Sequence, residues 1–334
     1  MTDRLNRQVI LAQRPSGIPR AEHFAVTDAN IGHPGPGQIL VKNLYLSVDP
    51  AMRGWVSVED NYSPPVPVGS VMRASAVGEI VESNGTRLQV GDVVVGRFGW
   101  QEFAIVAETD NVRRVDTSLP ASLALGVLGA NGVTAWLGLF GIGRPLPGEL
   151  VVVSTAAGAV GSVVGQLARL AGCRTVGITG SKGKVDLCLE EYGFDTALDY
   201  RAPDFLENLE QACGDGVDVY FDNTSGPVSD AVMSHLAHDS RVVVCGTSAI
   251  ESWQPAPMGP RVHRQVLTAG ATMRGFLLQD HAYEYDQVVR RLEPLVRNGE
   301  LRYTEHVLNG LESAPGAVSM LYEGRNAGKL IIRL

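Results

Sequence analysis

The sequence predicts an α/β protein in which an antiparallel β domain precedes a doubly wound parallel sheet. Three observations carry that prediction. Residues 1 to about 120 alternate short apolar runs with Gly- and Pro-rich turn signals: QVILA, HFAVTDA, QILVKNLYLSVDP, ASAVGEIVES and GDVVVGRFGWQEFAIV, the rhythm of a barrel or sandwich. After about residue 122, near-continuous Val/Ile runs alternate with helical segments, as in strands buried on both faces. Between two of these elements lies the glycine turn AAGAVG, residues 156–161.

The elements follow in order. IGHPGPGQ (31–38) and YSPPVPVGS (62–70) read as loops. LALGVLGANGVTAWLGLFGI is helical and rich in small residues. Strands are expected at 149–155, 174–179, 196–200, 217–223, 241–246 and 273–278, and helices at 158–172, 184–193, near 203–213, at 227–237 and at 285–301. Right-handed crossovers between such strands give the doubly wound form. KLIIRL closes the chain as a strand able to return to the first domain. The expected division is 1–124 for the β domain, 125–303 for the parallel sheet and 304–334 for the returning segment.

With 334 residues the chain is long enough for two domains, and 45% apolar against 19% charged residues is ordinary for a globular protein. A net charge of −8 gives no general affinity for nucleic acid, so any basic site must be local. MTDRLNRQVILAQRP does not read as a signal peptide, and no apolar run is long enough to span a membrane. Four cysteines without a CxxC pair, Cys173, Cys188, Cys213 and Cys245, read as free thiols in a reducing, cytoplasmic compartment.

AAGAVG follows a Val-rich strand and opens a helix, the context that makes a glycine turn a dinucleotide site. Ala156 stands where the first glycine of GxGxxG is usual. Gly158 is expected to let backbone N–H groups approach a pyrophosphate, and Gly161 to let the helix lie close to the strand. An NAD site usually ends its second strand on Asp or Glu, which binds the ribose 2′-hydroxyl. Here RTVGIT runs into Gly180, Ser181, Lys182, Gly183 and Lys184. A serine hydroxyl and two ammoniums match a 2′-phosphate, which points to NADP (NADPH) rather than NAD. Arg174 lies at the far end of that strand, and Asp186, one turn into the next helix, reads as a solvated or capping side chain.

The domain order and GDVVVG (91–96) resemble the medium-chain dehydrogenase/reductases, many of which are zinc enzymes. A catalytic zinc needs Cys and His ligands, yet residues 1–172 hold no cysteine and only His23 and His33. No metal site is therefore expected. LYLSVDPAMRGW (44–55), VMRASAVGEIVES (71–83), STAAGAVGSVVGQLA (154–168), YFDNTSG (220–226), MRGFLL (273–278) and GRNAGKLIIRL (324–334) resemble the zinc-independent, NADP-dependent branch that reduces alkenals, 15-oxo-prostaglandins and curcumin. The likeness runs over essentially the whole chain. It implies a GroES-like β-barrel catalytic domain plus a Rossmann NADP-binding domain, a 2-alkenal or enone reductase, and a homodimer. By match to the branch's motifs, Ala157, Gly158, Ala159, Val160 and Gly161 would hold the pyrophosphate. Gly180, Ser181 and Lys184 would take the 2′-phosphate, with Tyr200 at the adenosine end. Asn223, Cys245, Gly246, Thr247, Phe276, Leu278 and Asn326 would line the nicotinamide and its ribose. Two departures stand out. Ala51 replaces a tyrosine often found after DP, and CGTSAIESW places Ile250 or Glu251, with Trp253 beyond, where another tyrosine is frequent.

The expected reaction passes hydride from C4 of NADPH to the β-carbon of an α,β-unsaturated aldehyde or ketone, and the carbonyl oxygen gathers charge that a donor must meet. Tyr62 either donates to that oxygen or simply packs. Arg53 either anchors a substrate carboxylate or pairs with Asp49, and Met52 is a pocket wall or core filler. His263, Asp280 and His281 read as surface or capping residues. Two alternatives remain open at this level: a quinone reductase of the same superfamily, and an NADPH-binding sensor without turnover.

Overall fold

Strand pairing begins with β1 (Arg4–Leu11) against β2 (Phe24–Ile31), antiparallel with Val9 opposite Val26. β2 alternates shielded and exposed residues, as period-two patterning requires. β3 (Gln38–Ser47) follows, then the short helix α1 (Met52–Val56), β4 (Ala76–Asn84), β5 (Val93–Gly96), β6 (Phe103–Ala107) and β7 (Arg113–Arg114). The computed structural model describes residues 4–58, 62–250, 255 and 257–334.

Next come α2 (Ala130–Trp136), extended by a π-helical turn, Leu137–Gly143, and then β8 (Leu150–Ser154), α3 (Gly161–Leu170), β9 (Arg174–Thr179), α4 (Lys182–Glu190) and β10 (Thr196–Asp199). α5 (Phe205–Ala212), β11 (Val217–Asp222), α6 (Gly226–Met233), β12 (Leu236–Val244), α7 (His263–Ala269), β13 (Thr272–Gly275) and α8 (Tyr285–Arg297) continue the alternation. β14 (Glu305–Asn309), α9 (Ala314–Tyr322) and β15 (Lys329–Arg333) end the chain. Two compact units result: 1–126 with 305–334, and 127–304.

In the second unit six strands run parallel in the order β10-β9-β8-β11-β12-β13. Numbered within the unit this is 3-2-1-4-5-6, the doubly wound order whose direction reverses between strands 1 and 4. The core is Val152, Val176, Ile178, Val217, Tyr220 and Val242 with helix residues such as Phe205, Leu209 and Val232.

Several boundaries differ from the sequence-based expectation, each for a local reason. The stretch around 123–142 is not one helix: a 3-10 turn, Ala121–Leu125, stops at Gly126, and α2 starts only after Gly129. α3 begins at Gly161 because Gly158 N–H is spent on Thr155 O, 2.9 Å away, in a turn. β12 starts at Leu236 rather than 241, its register shifting against β11 between Val217 and Val219. β13 ends at Gly275, which pairs with Val244, the last residue of β12. Beyond it the ladder has no partner, so Phe276–Leu278 leave the sheet.

The first unit is not purely antiparallel. Its seven-stranded sheet runs β14-β15-β3-β4-β5-β7, with β6 also on β3, and β14 lies parallel to β15. α9 joins these two strands, and a helical crossover returns the chain in the same direction. Val9, Leu11, Ile39, Val41, Met52, Trp100 and Ile332 belong to the core. β15 also explains why two distant motifs, SVDP and AGKLIIRL, both matter. Lys329, 4% exposed, donates from Nζ to Ser47 Oγ (2.7 Å), Val48 O (2.8 Å) and Asp49 Oδ1 (2.7 Å). Asp49 also accepts from Ser47 Oγ. A buried cation fully supplied with acceptors survives where an unpaired one would not. No described helix is long and apolar enough to cross a membrane.

Glu305 opens β14, accepts from Ser122 Oγ at 2.9 Å and keeps Oε1 buried without a partner. Burial raises its pKa, against the pull of Ser122 and Lys329. A raised carboxyl pKa means the folded state holds the proton more tightly than the unfolded one. Stability from this group is present at low pH and lost as pH rises through the folded pKa. Glu305→Gln is therefore expected to raise the thermal midpoint at pH 7, with the gain vanishing near pH 4, about the ordinary glutamate pKa. An equal gain at both pH values would show that charge burial is not the cause.

Candidate functional site

The ends of β8 and β11 are adjacent at the point where strand order reverses, the place where open α/β sheets bind ligands. β8 stops at Ser154, and Thr155 takes a left-handed φ of +54°. Ala156 and Ala157 are buried, and Gly158, Ala159 and Val160 form the turn. A Cβ on Gly161 would stand 2.3 Å from Thr155 O, so only glycine lets the first turn of α3 seat on the strand end. That seating aims the positive end of a ten-residue helix over the strand ends.

On the strand 2 side, β9 ends at Thr179 and Ser181 stands at the N-cap of α4. The tyrosine ring of Tyr200 lies on Gly180, where an added Cβ would meet it at 2.7 Å. The two lysines part company here. Lys182 turns outward to Asp186, 3.0 and 3.1 Å from its carboxylate oxygens. Lys184 is half-buried, and its pKa is lowered first by that burial and then by Arg201. Arg201 stacks over the Tyr200 ring at 5.4 Å, and its backbone N–H donates to Asp199 Oδ1 at 3.0 Å. Gly180, Ser181, Lys184, Tyr200 and Arg201 thus gather at one strand end. Two cations that repel each other beside a serine hydroxyl form a cradle for an anion. Arg201 escaped the sequence reading because it follows the third strand, with no motif spacing to mark it.

On the strand 4 and 5 side the loop after β11 is tightly bonded. Asn223 donates from its backbone to Ser154 Oγ (2.8 Å) and from Nδ2 to Ser154 O (2.7 Å). Cys245 N and Gly246 N donate to Asp222 O at 2.8 and 3.1 Å, and Ser248 Oγ donates to Asn223 O at 3.0 Å. Asn223, Cys245, Gly246 and Thr247 therefore share one rim. The Cys245 thiol is pushed up to about 12 by burial and then by Asp222, so it is a thiol and not a nucleophile at neutral pH. Phe276 sits against the π turn near Gly138 and edge-on to His281, with ring centres 6.4 Å apart. Leu278 opens a 3-10 turn, in which His281 bonds Glu284 at 3.0 Å. Asp222 and Ser154, which organise this rim, lie in the motifs YFDNTSG and STAAGAVGSVVGQLA, but the sequence reading gave neither a role.

The remaining expected residues lie in the first unit. Met52 is fully buried in the core, so its side chain fills space and offers no surface to a ligand. Arg53 lies over the ring of Tyr322 at 5.0 Å, and Tyr322 OH donates to Pro50 O at 2.8 Å. Asp49, an alternative partner for Arg53 on sequence grounds, is engaged by Lys329 and Ser47. Tyr62 is exposed at its surface edge, with its pKa raised first by burial and then by the Asp49 charge, against the indole N–H of Trp55, Arg97 and Arg73. Arg73 stacks on Trp55 at 5.6 Å and donates to Pro64 O at 2.9 Å, which fixes the loop beside Tyr62. Asn326 donates from Nδ2 to Gly328 O at 3.1 Å. Glu251 and Trp253 lie outside the described residues. Among those described, no three His, Cys, Asp or Glu side chains are placed to hold a metal ion.

Known proteins resemble both units. Residues 7–115 match the family described as the N-terminal domain of oxidoreductase, and 159–293 match the zinc-binding dehydrogenase family. An NADPH-dependent curcumin reductase from Escherichia coli K12 is 40% identical over 98% of this chain and 97% of its own. The chain belongs to the medium-chain dehydrogenase/reductase superfamily. An NADP-dependent 2-alkenal reductase from Nicotiana tabacum is 36% identical at the same coverage. The crystal structure of Vibrio vulnificus CurA in complex with NADPH superposes with a TM-score of 0.93 at 38% identity, over 98% of both chains. The second family's description names zinc, whereas residues 1–172 here contain no cysteine.

Gly161→Ala is expected to cost about 1–3 kcal/mol, as overpacking does, and to abolish any binding at the turn. Gly183→Ala, whose Cβ would meet nothing within 4 Å, is the control and leaves the urea midpoint in place. Equal midpoints for both variants would contradict the close approach described at Thr155.

Proposed function

We propose that this chain is an NADPH-dependent reductase of the C=C bond in α,β-unsaturated aldehydes and ketones, working without zinc. The observation that carries the reading is the cation pair Lys184 and Arg201 beside Ser181, at the strand end where an NAD site would carry a carboxylate. Relatives whose names specify curcumin and 2-alkenals as substrates, at 40% and 36% identity, support it.

The residues present fit the carrier. Ala157 and Ala159 to Gly161 would offer backbone N–H groups and a helix start for the pyrophosphate, with Gly158, whose own N–H bonds Thr155 O, leaving room for its approach. Gly180, Ser181, Lys184, Tyr200 and Arg201 would receive the 2′-phosphate and adenosine. Asn223, Cys245, Gly246, Thr247, Phe276 and Leu278 would border the nicotinamide half, with Asn326 as a further contact. When bound, NADPH supplies the hydride that ends on the substrate's β-carbon. The chain's own task is to hold the carrier and to meet the charge that gathers on the substrate's carbonyl oxygen. Tyr62 keeps its phenolic proton, since burial raises its pKa, and a neutral phenol is a donor for such an oxygen. The α-carbon takes its proton from water. Arg53, next to Tyr322, is the group that would bind an acidic substrate tail.

A homodimer in the cytoplasm completes the proposal. All four residues of β13 are exposed at the edge of the six-stranded sheet, which leaves main-chain donors and acceptors open to a second copy. Met258, 97% exposed, with Leu267 and Tyr283 adds apolar surface in the same part of the chain. The free cysteines fit a reducing compartment. Light scattering is expected to give twice the 35.7 kDa chain mass, and Met273→Asp to give one chain mass. A wild-type monomer would refute the dimer.

NADPH oxidation followed at 340 nm against enals, enones and small quinones tests the activity. Enones are expected to turn over and quinones to lag; quinone turnover alone would move the chain to the quinone reductases. Lys184→Glu is expected to raise the KM for NADPH by about tenfold or more, as loss of a charge-assisted pair does, and to leave that for NADH nearly unchanged. Lys182→Ala, already paired with Asp186, is expected to change neither. Tyr62→Phe is expected to lower kcat on an enone, and unchanged turnover would remove Tyr62 from the mechanism.

A further inference from the structure

Asp222 ends β11, is 3% exposed, and is not needed to hold the carrier by contact. Its Oδ1 accepts from Tyr220 OH (3.0 Å), Thr224 N (2.9 Å), Ser225 N (2.9 Å), Thr224 Oγ1 (3.3 Å) and Ser154 Oγ (3.3 Å). Its Oδ2 accepts from Ser229 Oγ at 2.8 Å. Six donors and no acceptor are the surroundings of an ionised carboxylate. No lysine or arginine pairs with it among the described residues. The charge therefore reaches its neighbours: it adds to the burial that raises Cys245, and to the burial that raises the Asp230 carboxyl.

A buried charge held only by neutral dipoles is costly to desolvate. Hydrogen bonding alone does not require it here. An asparagine would keep Oδ1 for its five donors, and its amide could face Ser229, whose hydroxyl can accept as well as donate. The location supplies a reason for the charge. Asp222 lies at the C-terminal end of strand 4, just past the reversal of strand order, and the second mononucleotide half of a dinucleotide lies over strands 4 to 6. Loss of a hydride, one proton with two electrons, leaves that half one unit more positive than before.

We propose that Asp222 is a positioning residue whose buried negative charge favours the oxidised over the reduced carrier, and so eases hydride departure. It also holds Asn223–Ser225 in place, with Ser225 at φ +56°. The proposal rests on the NADPH assignment above.

The test compares dissociation constants for NADP+ and NADPH, measured by calorimetry without substrate, in wild type and Asp222→Asn. Asp222→Asn is expected to raise the ratio of the NADP+ constant to the NADPH constant about tenfold, as loss of a charge within roughly 10 Å does in a partly screened site. Ser229→Ala keeps the charge and is expected to leave the ratio alone. Should Asp222→Asn fail to fold, Ser229→Lys brings a cation toward Oδ2 and is expected to raise the ratio likewise. Equal changes in both constants would make Asp222 purely structural and overturn the proposal. A wild-type chain binding neither form would overturn the carrier assignment as well.

Discussion

The second unit depends on a close approach between backbones at one strand end. α3 can start over β8 only because Gly161 has no Cβ to strike Thr155 O. The neighbouring strand end is held to the same point, since Asn223 donates twice to Ser154. Strands 1 and 4 of the sheet are thereby locked side by side where the winding changes direction. A helix N-terminus and two loops then face one location. The anion-binding character of that location follows from the geometry rather than from net charge, which is −8 for the chain.

Charge is used sparingly and locally. At the strand 2 end, burial and then the Arg201 charge lower the Lys184 pKa. That shift is offset when an anion joins the two cations. At the strand 4 end the sign reverses, with Asp222 buried among neutral donors. The two ends suit a ligand that is strongly negative at one end and becomes more positive at the other. In the first unit, a buried ion pair between Lys329 and Asp49 fastens the loop that leads into Arg53.

Much of this was legible in the sequence because it rests on periodicity and glycine placement. Val-rich strands between helices announced the parallel sheet, and Gly161 and Lys184 stood at motif spacing. What escaped depended on contacts between distant segments. Arg201 meets Lys184 only because strands 2 and 3 are neighbours. The parallel pairing of β14 with β15 comes from the crossover through α9, which alternating apolar residues cannot reveal. Met52 sits beside Arg53 in a motif, yet the turn of α1 sends it into the core. As residue types Lys182 and Lys184 both match a phosphate, and the structure turns Lys182 outward to Asp186.

The central claim is that a phosphorylated dinucleotide lies on the C-terminal edge of the six-stranded sheet. A crystal structure of the chain grown with NADPH tests it most directly. The account predicts pyrophosphate density against Gly158–Gly161 and the 2′-phosphate between Lys184 and Arg201. A carrier bound elsewhere, or a 2′-phosphate pointing into solvent away from both cations, would contradict it.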